Sequence, residues 1–221
     1  MRKTFLAITL FLAFSKAALA QFGNCTASEM RTYVDSATGS TITMLTDTMK
    51  NDRFLYQTDP MWTADGKYLL FRSSSRGNDK EVESTLPNGE KRKWTPTQIY
   101  FIEMATGKII QATEGPNLGS AFLANKTNRM FVSRKEKENW NMYVMDLDKF
   151  FADVKQGKVG KPSAYETFIG TFPTEMGRPG GYAVDCNDDY AYITVEREGT
   201  EEEKERMMKN AFLPESNQPV K

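Results

Sequence analysis

The sequence predicts an all-β chain of antiparallel, propeller-like blades that together make an incomplete arc of a larger propeller. Three observations carry this. The phrase "YQTDPMWTADGKYLLFRSSSR" (56–76) has weaker echoes in "GSAFLANKTNRMFVSRK" (119–135) and "GGYAVDCNDDYAYITVER" (180–197). The echoes are in step: Trp62, Leu123 and Val184 lie 61 residues apart, and so do Phe71, Val132 and Ile193. Short β-branched and aromatic runs are punctuated throughout by Gly, Asp and Asn, the pattern of strands joined by tight turns. A repeated meander that cannot bury its own faces implies stacked blades.

In each copy an apolar anchor precedes a polar turn, "TADGK", "ANKTN" or "DCNDD", and a strand follows: "YLLFRS", "RMFVSR" or "YAYITV". The outer half of the unit recurs too. In "TQIYFIEMATGKIIQAT" (97–113), "ATGK" is a hairpin turn and "IIQAT" the returning strand; "SATGSTITMLTD" (36–47) is the same pair one unit earlier. "WNMYVMDLDKFFADV" (140–154) matches the first of these in its leading strand. Two polar inserts, 73–96 and 155–163, lengthen the unit beyond the roughly 40–45 residues of a simple blade. The next strand-like piece is "AYETFIGTF". The expected organisation is a terminal half-unit, two nearly full units and one begun unit over 21–197, with a charged, helical or disordered tail at 198–221. A three-unit sandwich or open stack is the alternative. The equal spacing places Trp62 in the core between blades.

Residues 1–20 have a basic start (Arg2, Lys3), an apolar run from Thr4 to Phe14 and "ALA" before Gln21, the three parts of a cleaved export signal. Cleavage removes Arg2, Lys3 and Lys16 from 29 basic side chains, leaving 26 against 29 acidic ones. That balance does not suit nucleic acid, and no later segment is apolar enough to cross a bilayer. The expected location is periplasmic or secreted. Cys25 and Cys186 stand either as a disulfide or as two free thiols. The chain contains no histidine, so it holds no imidazole base or ligand.

"TDPMWTADGKYLLFRS", followed by "IYFIEMATGKIIQAT", resembles the repeats of TolB-like and dipeptidyl-peptidase-like propellers. The order of "TGSTITMLTD" before that phrase is most similar to the oligogalacturonide lyase family, over roughly residues 33–197. The resemblance implies a seven-bladed propeller that acts on short oligogalacturonides by β-elimination in pectin breakdown, with a divalent metal such as Mn held mainly by histidines. With no histidine here, no metal ligand carries over, and no cofactor is identifiable in this chain.

An acidic sugar calls for guanidiniums, which meet a carboxylate with two parallel hydrogen bonds, and for flat apolar faces. Arg72 and Arg76 end the first strand phrase, Arg134 is one residue off the equivalent place in the second, and Arg178 and Tyr182 flank "PGG" in the third. These five are the candidate substrate-binding residues. Asp59 is a turn cap or an acid. Lys80, Lys135 and Tyr182 are available as bases, with no spacing that distinguishes them, so the catalytic residues stay unassigned. The readings are a lyase-like protein on oligogalacturonides, a non-enzymatic exported propeller for a protein or glycan partner, and a peptidase's accessory propeller.

Overall fold

The computed structural model describes residues 22–77, 81–85, 89–172, 178–196 and 202. The expected signal segment and all but one residue of the charged tail lie outside them. Within them the chain is almost wholly antiparallel β-sheet, set in successive blades that do not close into a ring.

The first blade has five strands. β1 (Cys25–Thr26) borders it from the N-terminal side, and the rest of the sheet runs from β4 (Asp52–Arg53) through β5 (Tyr68–Ser73) and β8 (Gln98–Glu103) to β9 (Ile109–Gln111). The second blade is β10 (Leu118–Leu123), β11 (Arg129–Glu136), β12 (Asn139–Asp146) and β13 (Glu166–Phe172). Two half-blades flank them. The leading hairpin is β2 (Arg31–Val34) with β3 (Thr41–Met44), and the trailing pair is β14 (Arg178–Val184) with β15 (Ala191–Glu196).

The 61-residue repeat survives down to single hydrogen bonds. Thr63, Ala124 and Asp185 each donate a backbone N–H to the carbonyl of Tyr68, Arg129 and Tyr190, all at 3.0 Å. Trp62, Leu123 and Val184 sit opposite Leu69, Met130 and Ala191. The outer turns match as well. Glu103 N–H meets Lys108 O at 2.9 Å, and Thr106 caps the Glu103 carboxylate at 2.6 Å; Asp35, Ser40 and Thr38 repeat this at 2.9 and 2.5 Å. Gly107 and Gly39 hold φ near +70° in these turns, where a side chain is disfavoured.

The core lies between the two full blades, where Leu70 and Phe101 meet Leu123, Met130 and Val132. Helix α1 (Leu147–Gln156) completes it, inserted between β12 and β13 where the first blade has only a turn. Asp146 caps its start by accepting from the N–H of Lys149, and Gly157 ends it in the left-handed region. Leu147, Phe150 and Phe151 are buried, and Phe151 stacks on Tyr68 with ring centres 3.6 Å apart.

Trp62 corrects one expectation: it is 46% exposed, whereas its equivalent Leu123 is 1% exposed. Leu123 is covered by the second strand of the blade before it. The leading hairpin that precedes Trp62 has only outer strands, so among the described residues no inner strand packs over the indole as β5 packs over Leu123. Both cysteines are free and exposed, so no bridge joins them.

Candidate functional site

Between the first strands of the successive blades lies an open cleft of about 650 Å³. β4 contributes Arg53, β5 contributes Arg72, β10 contributes Leu118 to Phe122, and β14 contributes Gly180 to Tyr182. The loop after β4 adds Tyr56 and Asp59. The wall on the other side comes from the 73–96 insert, which is not merely a polar loop: it folds as a hairpin, β6 (Val82–Thr85) with β7 (Lys91–Trp94). Period-two alternation in β7 sends Arg92 and Trp94 into the cleft. Lys91, on the other face, pairs with Glu83 at 2.7 Å.

Arg53 and Arg72 face each other directly across the β4–β5 ladder. Like charges in that position repel. Arg53, Arg72 and Arg92 are exposed, and among the described residues their guanidiniums make no hydrogen bond or ion pair. Three uncompensated guanidiniums, an indole and two phenol rings thus share one cleft, with Asp59 as its carboxylate.

Of the five sequence candidates, Arg72 and Tyr182 line this cleft. Tyr182 also donates its hydroxyl to Ser133 at 2.7 Å and stacks on Phe122, so its ring is fixed in place. Arg76 lies elsewhere, nearly buried: its Nη2 donates to both Glu29 and Asp52 at 2.6 Å, its Nε to Asp52 at 2.8 Å and its Nη1 to Glu29 at 2.9 Å. Burial alone would lower its pKa, but these two carboxylates hold it above the ordinary value; in turn the Arg76 hydrogen bonds hold Glu29 below the usual carboxylate range. Arg134 makes a two-pronged ion pair with Glu166, across to the outer strand of its own blade. Arg178 starts β14, and its side chain, like Lys80, lies outside the described residues. Sequence reasoning missed Arg53, Arg92 and Trp94. The signal was present in "KRKW", an alternating strand inside a segment read as an insert.

The metal that the family resemblance implies does not fit the residues present. There is no histidine, and no group of three or more Cys, Asp or Glu able to hold an ion comes together among the described residues.

No protein-family model matches the chain, and no curated protein matches it. Solved structures do. One, described as an oligogalacturonate lyase in complex with manganese, superposes with a TM-score of 0.53 at 20% identity, over 76% of this chain and 36% of that one. An oligogalacturonate lyase from Vibrio parahaemolyticus gives 0.51 at 21% identity, over 75% and 35%. The likeness shows a shared fold of antiparallel blades. This chain spans about a third of the length of those structures.

Proposed function

We propose that the chain belongs to a larger, exported propeller related to polysaccharide lyases, and that its cleft binds short oligogalacturonides. One observation carries this reading: Arg53 and Arg72, opposed across a ladder with no partner, share a cleft with Arg92 and Trp94. A uronate carboxylate accepts two parallel N–H bonds from one guanidinium, and it also relieves the Arg53–Arg72 repulsion. Trp94 and Tyr56 offer flat faces to the apolar side of a sugar ring. The fold shared with two oligogalacturonate lyases supports the class of substrate.

In β-elimination a base takes the proton beside the uronate carboxylate, the neighbouring C–O bond breaks, and a carbon–carbon double bond forms. An Arg-paired carboxylate is easier to deprotonate beside, because the guanidinium holds the enolate-like charge as it develops. Arg72 or Arg53 fits that role. No base is assigned, and no step passes through a metal. A second reading, an exported propeller that binds the sugar without cleaving it, is favoured by the absence of histidine.

Both readings meet one experiment. The mature chain is titrated with trigalacturonate, following tryptophan fluorescence, with the neutral galactose trimer as control. It is then incubated with the acid sugar with and without Mn²⁺, and unsaturated-uronate absorbance is recorded. Saturable binding of the acid sugar alone supports the cleft, and product formation supports the lyase. Binding without product supports the non-catalytic reading, and no binding overturns both.

A further inference from the structure

Arg72 stands at a place that the two following blades use to hold their inner strand. The 61-residue spacing makes Ser133 and Thr194 its equivalents. Ser133 accepts the backbone N–H of Ser120 at 3.0 Å, and Thr194 accepts that of Gly181 at 2.7 Å. Both donors lie in the same two-residue bulge, Gly119–Ser120 in β10 and Gly180–Gly181 in β14. A hydroxyl there takes up an N–H that the bulge leaves out of the ladder. In the first blade a guanidinium replaces the hydroxyl. Asp59, the equivalent of Ser120 and Gly181, gives its N–H to Tyr56 O at 2.8 Å instead.

The first inner strand is weaker for it. β10 and β14 continue past their bulges. In the first blade the chain leaves the ladder after Arg53 and rejoins it only at Met61, whose carbonyl accepts from Leu70 N–H at 2.7 Å. β4 is thus two residues long, and one of its two cross-strand pairs sets Arg53 against Arg72. Like charges directly opposite push such a pair apart.

A different set of contacts holds β4, and it comes from the three residues that follow β5. Asn51 donates its backbone N–H to the Ser75 hydroxyl and its side-chain amide to the Ser74 hydroxyl, both at 2.7 Å. Asp52 accepts from Arg76 Nε at 2.8 Å and from Nη2 at 2.6 Å. Strand alternation places Asp52 and Ser73 on one face of the pair, and Arg53 and Arg72 on the other. Arg76 therefore works from the back, its guanidinium 5.3 Å from the centre of the Phe71 ring. The carboxylate next to Arg53 in the chain is taken up there, and the two opposed arginines keep their charge for the cleft.

We propose that Ser74, Ser75 and Arg76, together with Asn51, are positioning residues: they clamp β4 so that Arg53 stays against Arg72, and the pair is preset to receive one carboxylate. A pair already held in place loses less freedom on binding. The ligand in this proposal rests on the sugar-binding reading; the clamp does not.

Ser75→Ala is the test, because that hydroxyl holds the Asn51 backbone and lies outside the cleft lining. Hydrogen exchange, read by mass spectrometry on peptides spanning 51–55, is expected to quicken about fivefold, as for the loss of one hydrogen bond. It is expected to return in Ser75→Thr, which keeps the hydroxyl, and in Ser75→Ala combined with Arg53→Gln, where the repulsion is gone. Trigalacturonate affinity is expected to fall about fivefold in Ser75→Ala and to recover in Ser75→Thr. Adding Ser75→Ala to Arg53→Gln is expected to change affinity no further, whereas a role in the fold alone would weaken both backgrounds alike. Unchanged exchange in Ser75→Ala, no recovery with Arg53→Gln, undiminished affinity, or an equal loss in both backgrounds overturns the clamp. If the unaltered chain binds no trigalacturonate, the sugar-binding reading falls, and the exchange comparison alone decides the clamp.

Discussion

At the scale of single residues, arginines divide by whether their charge is answered. Arg76 is 6% exposed in its side chain and is met by Glu29 and Asp52. Removing the guanidinium leaves two carboxylates facing each other with their partner gone. Arg76→Gln is expected to destabilise the fold by about 3 kcal/mol, read as a fall in urea midpoint, because breaking such a pair strands charge away from water. Arg72 is the opposite case. It supports nothing in the fold, so Arg72→Gln should leave the melting temperature unchanged or slightly raised, by relief of repulsion from Arg53. The same substitution should weaken trigalacturonate binding about tenfold, the equivalent of about 1.4 kcal/mol, measured by titration calorimetry. Both arginines sit in one sequence phrase, and nothing in "RSSSR" says which is which. The partners Glu29 and Asp52 are 47 and 24 residues away.

At the scale of elements, the turns do more than reverse the chain. Asp188, in the trailing turn, accepts from the backbone N–H groups of Asn125, Lys126 and Thr127 at 2.6, 2.8 and 2.8 Å, and from the Thr127 hydroxyl at 2.9 Å. Asn128 of that second turn accepts in the same sense from Asp65 N–H of the first, at 3.2 Å. Each turn is therefore tied to the one in the next blade. Asp188→Ala is expected to cost about 2 kcal/mol, since four donors lose a charged acceptor. Asp188→Asn should cost less, because Asn keeps an oxygen and tolerates the positive φ of 64° found there; thermal melts would rank the pair. Helix α1 is the other element with consequences. Phe151→Ala removes the ring stacked on Tyr68 and packed edge-on against Phe101, and should cost about 3–5 kcal/mol in chemical denaturation. The apolar spacing of Leu147, Phe150, Phe151 and Val154 after Asp146 was a legible helix signal. The strong likeness of "WNMYVMD" to a blade strand hid it.

At the scale of the whole molecule, charge links stability to pH. Asp65 is the clearest case: burial raises its pKa, but the hydrogen bond from Thr63 and the contacts with Lys67 more than offset this and pull it down to about 2. Glu29, through Arg76, and Asp188, where four hydrogen bonds outweigh burial, are also lowered. A carboxylate with a lowered folded pKa stabilises the fold above its unfolded value and loses that contribution as pH falls through the folded one. Stability should hold from neutral pH down to about pH 5 and then drop between about pH 4 and 2; denaturant midpoints across that range check it. Composition and the 61-residue period alone determined that the chain is antiparallel β-sheet in repeating blades, because side-chain alternation and turn chemistry are local and recur in the sequence. Tertiary structure alone decided the cleft, where Arg53, Arg72, Arg92 and Tyr182 converge from separate strands. It also decided the exposure of Trp62, because burial depends on which strand a neighbouring blade supplies, and equal spacing does not carry that.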